Sequence, residues 1–120
     1  MMEERTQEEL EWYMERFKGL IQDCFNEHEK TQKYPKEYTV VVKKGRKYWK
    51  ILTTSRARTP HGITNTRIFG FVRREDGAIL RAASMKAPEV RTKNPVRGYI
   101  WEETAGSTFS WLGINYDMGS

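Results

Sequence analysis

The chain has 120 residues, 21 Lys and Arg against 16 Asp and Glu, a formal net charge of +5, and one cysteine, Cys24. That length is one domain's worth and buries enough surface for a core without covalent staples. One cysteine excludes an intrachain disulfide framework and a cysteine zinc site, and no apolar run approaches the ~18–20 residues of a membrane span.

The chain opens MMEERTQEEL. This acidic start is unlike the basic start and apolar stretch of a signal peptide, so a soluble cytosolic protein with no membrane partner is expected. Residues 6–30 read as one long helix. Thr6-Gln7-Glu8-Glu9 is a capping-box pattern, and glutamates crowd the first turns, where the helix dipole favours them. Leu10, Met14, Phe17, Ile21, Cys24 and His28 follow steps of four and three, and Tyr13, Leu20 and Phe25 widen this to an apolar face. Gly19 weakens the helix and leaves room for another element to approach. Pro35 stops any continuation.

After Pro35 the period changes from 3.6 to 2. Residues 38–42 read as a strand, Lys44-Gly45-Arg46 as a turn, and 47–54 as a second strand. Residues 56–65 form a loop with Pro60, Gly62, Arg56 and Arg58. Residues 67–74 are a third strand, Asp76-Gly77 a hairpin turn, and 78–85 a fourth strand. Residues 86–97 hold two prolines and read as a loop, and 98–102 as a fifth strand. The sum is an α+β fold over a single domain, 1–120. One long N-terminal amphipathic helix (6–30) packs on an antiparallel sheet of four or five strands (38–102), with a tail from 104 to 120.

Charge is segregated along the chain. Residues 1–32 hold nine acids and four bases, residues 33–100 four acids and seventeen bases, and residues 101–120 three acids and no base. The nets are −5, +13 and −3. A basic middle between acidic ends predicts a polyanionic partner, nucleic acid first.

Catalytic signals are scarce. His28 extends the apolar stripe of the helix, and His61 sits in a Thr-Pro-His-Gly loop with no carboxylate nearby in sequence. Two histidines and one cysteine are a poor base for a metal site. No phosphate-loop glycine pattern or nucleophile elbow occurs, so no enzyme, metal or cofactor is expected.

The binding signal lies in the basic residues around the strands. Lys43, Lys44, Arg46 and Lys47 surround one turn, Arg56 and Arg58 open one loop, and Lys86, Arg91, Lys93 and Arg97 line another. Strict alternation places Arg67, Phe69, Phe71 and Arg73 on one strand face, where aromatics stack bases and arginines take phosphates. A two-residue turn at Asp76-Gly77 would pair Phe71 with Ala82, Phe69 with Ser84 and Arg73 with Leu80. Alternation leaves open whether the Phe69/Phe71 face is the core.

Arg67-Ile68-Phe69-Gly70-Phe71-Val72 looks like the first ribonucleoprotein motif of RNA-recognition domains. It departs at Ile68 and Arg74, and the order of elements departs from that fold. A larger stretch resembles a group of small bacteriophage proteins. It comprises Lys47 to Ile51, Arg67 to Val72, Gly77 to Pro88 (GAILRAASMKAP) and Arg97-Gly98-Tyr99-Ile100. The recurring pattern there is G-x-(I/V)-x-(K/R)-A-A-S-W-K-A-P followed by R-G-N-I. Met85 and Tyr99 depart from it. The resemblance implies phage origin and a host-cytoplasm location, and carries no established activity. The expected function is binding of nucleic acid, single-stranded and sequence-tolerant. Two other roles stay open: inhibition of a host defence factor by protein binding or nucleotide sequestration, and a small virion or assembly component. A host protein partner and a homodimer are compatible with either.

Overall fold

A computed structural model describes residues 5–57 and 62–115. Helix α1 spans Gln7–Glu29. Thr6 caps it. Its hydroxyl oxygen accepts from the Glu9 amide (3.1 Å) and contacts the Glu9 carboxylate (3.2 Å), holding the first turn as the capping pattern predicts. Leu10, Met14, Phe17, Ile21 and Phe25 are buried along one stripe. Cys24, His28 and Tyr13 sit half-buried at its margins, whereas Leu20 is exposed. Gly19 is exposed too, and a Cβ there would meet nothing within 4 Å, so no element approaches the helix at this point.

Five strands follow: β1 (Lys36–Lys44), β2 (Tyr48–Ala57), β3 (Thr64–Arg73), β4 (Ala78–Leu80) and β5 (Val96–Tyr99). They form one antiparallel sheet in sequence order. Helix α1 packs on one face, burying Val40, Trp49, Ile51, Phe69, Val72 and Ile79 beneath its stripe. Among the described residues no helix is long and apolar enough to cross a membrane.

Two features of the ladder depart from simple alternation. Ile51 opposes Gly70 and Leu52 opposes Ile68, so Phe69 is the extra residue of a β-bulge. The bulge turns Phe69 toward the helix, where its ring meets Phe25 edge-on at 5.9 Å. Phe71, one bulge further along, points to the opposite face. Arg67 and Phe69 therefore do not share a face with Phe71 and Arg73. The second departure is the β3–β4 turn. Phe71 pairs with Leu80 and Val72 with Ile79, a register two residues shorter than a two-residue turn at Asp76-Gly77 gives. Residues 74–77 form the loop, closed by the Gly77 amide donating to the Arg73 carbonyl (2.8 Å). Gly77 adopts φ +80, a conformation that favours glycine. Strand β4 then ends at Leu80 rather than 85, and 81–95 is an excursion tied by the Glu89 amide to the Arg81 carbonyl (2.7 Å).

The C-terminal part closes the helix side. After a 3₁₀ turn at Glu103–Ser107, a hairpin of β6 (Phe109–Ser110) and β7 (Gly113–Ile114) docks between helix and sheet. Phe109 meets Phe17 at 5.5 Å and Phe69 at 5.8 Å. Gly70 makes this possible: a Cβ there would come within 2.2 Å of Ile114 Cδ1. The edge strand β1 is blunted from the helix. Gln22 Nε2 donates to the Tyr38 carbonyl (2.7 Å) and its Oε1 accepts from the Val40 amide (2.9 Å). Edge groups that would otherwise template another strand are thereby occupied.

Candidate nucleic-acid interface

The sheet face away from the helix carries the candidate site. Residues paired across a ladder share a face. The register therefore places Lys43, Lys50, Phe71, Leu80 and Val96 in one transverse row. The adjoining row holds Tyr48, Arg73, Ala78 and Tyr99. With strands about 4.8 Å apart, five positions span roughly 19 Å. The acidic outer surface of α1 lies on the other side of the sheet.

The aromatics here are packed rather than open. Phe71 is only 2% exposed. Tyr48 meets it edge-on at 6.0 Å, and the Lys50 ammonium stands 6.0 Å from its ring. Lys50 is half-buried, as expected of a lysine whose stem covers an apolar ring while its head reaches water. Phe69 is in the core on the other face. Neither phenylalanine offers a platform for a base, and the stacking role expected of them is corrected accordingly. Tyr48 and Tyr99 are the half-exposed rings on this face.

The predicted cations divide by whether they already have a partner. Arg73 grips Asp76 with two bonds, Nε to Oδ1 (3.0 Å) and Nη2 to Oδ2 (2.7 Å). Burial alone would push the Asp76 carboxyl up. The Arg73 fork, the Ala78 amide and the Arg73 charge outweigh it and hold the carboxyl below its ordinary range. Arg73 therefore serves the turn and is not available to a phosphate. Lys44, on the helix side, is ion-paired with Glu11, whose carboxyl is held low by that hydrogen bond and charge. Arg97 is the extra residue of a second bulge, half-buried, with Nη1 donating to the Asn94 carbonyl (2.8 Å). Arg67 lies opposite Thr53 on the helix side.

The others project without a side-chain partner among the described residues. Lys43 is exposed at the end of β1, and Arg46 and Lys47 are exposed in the turn beside it. That turn is held firmly. Arg74 Nη1 donates to the Gly45 (2.8 Å) and Arg46 (3.2 Å) carbonyls, and its amide donates to the Lys47 carbonyl (2.9 Å). Gln7 of the helix in turn donates to the Arg74 carbonyl (2.8 Å). Lys86, Arg91 and Lys93 are exposed on the 81–95 excursion, which leaves and rejoins the sheet at the Leu80–Val96 end of the first row. Arg56 is exposed on the same face further along, opposite Glu37. Arg58 and His61 lie outside the described residues.

Lys50, Tyr48 and Tyr99 belong to this surface although sequence reasoning did not single them out. The signal for the first two was available, since both share strand parity once the 45–47 turn is placed.

A family profile described as a family of unknown function, DUF7717, matches residues 1–113. No curated protein matches the chain, and no solved structure does.

Proposed function

Because the chain belongs to DUF7717, whose function is not established, we propose from its geometry that it binds nucleic acid, single-stranded and with little sequence preference. The far face of the sheet is the binding surface. One observation carries this reading: Lys43 and Lys50 stand side by side at one end of that face and Arg46 and Lys47 are exposed in the adjoining turn, with no carboxylate paired to any of them among the described residues. Lys86, Arg91 and Lys93 extend the cationic surface at the other end of the same row. A backbone laid along the roughly 19 Å row would meet lysines at both ends.

Affinity in this reading comes from phosphates, because the phenylalanines are packed away. Lysines act as point charges that release counterions from the strand and tolerate any sequence. Tyr48 and Tyr99 supply edges for bases, a weaker contribution than open stacking. The acidic outer surface of α1 repels phosphates, so a strand is not drawn onto the helix itself. No catalytic step forms part of the proposal. The phage resemblance adds a location, the cytoplasm of an infected host.

The test is a fluorescence-anisotropy titration of labelled single-stranded DNA, duplex DNA and RNA of equal length at two salt concentrations. Saturable binding of the single strands, falling steeply with salt and weaker for duplex, is the expected result. Absence of binding at low salt, or affinity indifferent to salt, would overturn the proposal.

A further inference from the structure

On the helix side of the sheet, away from the surface just described, lies a pocket of about 290 Å³. Its floor is Thr53 of β2 and Phe69 of β3, its rim carries Arg67 of β3, and its walls are Phe25 of the helix and Trp111 of the C-terminal hairpin. Arg81 stands at its end. No carboxylate lines it. Its volume is at the low end of small-molecule sites.

Three properties define what it can hold. First, it carries a cation: Arg67 is exposed at the rim and makes no hydrogen bond or ion pair among the described residues. Second, Thr53 is buried, yet its hydroxyl makes no hydrogen bond among the described residues and lines the pocket. Lining the pocket and unpaired, this hydroxyl can donate to or accept from a ligand. Third, the walls are aromatic. Trp111 carries the His28 ring on one face, stacked at 3.9 Å and 11°, and is still 46% exposed. The hairpin that presents Trp111 is anchored by Phe109 and by Ile114 over Gly70, so the wall is held in place.

We propose that this pocket binds a mononucleotide unit. Arg67 pairs with the phosphate by charge-assisted bonds, the base lies against the aromatic walls, and Thr53 takes a polar atom of the sugar or base. The same chemistry has two sources, a free nucleoside monophosphate or the 5′-terminal residue of a strand. The proposal does not rest on the far-face reading, since the two surfaces lie on opposite sides of the sheet.

Calorimetric titration with adenosine and uridine 5′-monophosphates tests it, with adenosine, uridine and inorganic phosphate as separate probes. The nucleotides should bind saturably, and each part alone about tenfold or more weaker. Arg67→Gln should weaken nucleotide binding about tenfold or more at an unchanged melting temperature, and Arg67→Lys should retain part of it. Trp111→Leu, at a half-exposed position, should weaken it as well. A 5′-phosphorylated tetranucleotide and its 5′-hydroxyl counterpart separate the sources. Competition by the phosphorylated strand alone assigns a strand end, and competition by neither assigns the free nucleotide. Nucleotides that bind no tighter than inorganic phosphate, or an Arg67→Gln variant that binds like wild type, would overturn the proposal. Arg67→Gln leaves the salt dependence of polynucleotide binding unchanged, and Lys43→Ala with Lys47→Ala and Lys50→Ala leaves mononucleotide binding unchanged. Failure of one site is thereby distinguishable from failure of the other.

Discussion

Replacing Phe69 by alanine should destabilise the protein severely and leave strand binding by the folded fraction intact. Phe69 sits at the β3 bulge, 7% exposed, edge-on to Phe25 at 5.9 Å and to Phe109 at 5.8 Å. Those neighbours come from the helix and from the C-terminal hairpin, two elements fastened independently to the sheet. Neither can follow the other into the space left behind, so the cavity persists. Large-to-small changes of this kind cost ~3–5 kcal/mol, and limited collapse puts this one in the upper half of that range. At about 4 °C per kcal/mol for a chain this size, the melting temperature should fall by roughly 15–20 °C. The assay is a thermal melt by circular dichroism alongside single-strand titration at a temperature where the variant is folded. A melt within about 3 °C of wild type, accompanied by a loss of ~1–3 kcal/mol in affinity, would mean that Phe69 is an open stacking residue and would refute the packing described.

Gly19→Ala should raise stability by ~0.5–1 kcal/mol, because the position is exposed, helical and open around the added methyl; a melt lower than wild type contradicts this. Gln22→Ala strips two hydrogen bonds from the β1 edge and should cost ~1–3 kcal/mol while promoting association, read by thermal melt and light scattering. Asp76→Asn should lower the melting temperature at pH 7. A carboxyl with a depressed folded-state pKa stabilises above its unfolded value of ~3.9 and loses that contribution as pH falls through the folded value. Melting temperatures of wild type and variant should therefore converge in strong acid, and a constant gap down to about pH 2 would assign the effect to shape rather than charge.

The helix was legible because its determinants are local: a cap, a 3.6-residue period and a proline stop lie within consecutive residues. Strands β1 to β3 were legible for the same reason, though their ends ran further than alternation predicts. The bulge at Phe69 was not. The residues that pack on it, Ile114 over Gly70 and Phe109 against Phe69, arrive from more than thirty residues away, and nothing within RIFGFV announces it. Once present it sends two phenylalanines to opposite faces, which undid the expected aromatic surface. The turn register failed for a related reason. Asp76 bonds Arg73 and the Ala78 amide, and this side-chain chemistry favours a four-residue loop over the tight turn that Asp-Gly suggests. The cations around residues 43–47 and 86–93 are exposed. Which of them were already neutralised required the partners, Glu11 for Lys44 and Asp76 for Arg73, and the first of these is remote in sequence.

The most direct test of the far-face reading is the slope of log affinity against log salt concentration for single-stranded DNA, in wild type and in a variant carrying Lys43→Ala, Lys47→Ala and Lys50→Ala. Each single-strand phosphate contact contributes about 0.7 to the slope, so losing three lysines should reduce it by about 2 and weaken binding at every salt concentration. The substitutions lie at exposed or half-exposed positions and should leave the melt within a few degrees. An unchanged slope in a folded variant would contradict the assignment of this face to the nucleic acid.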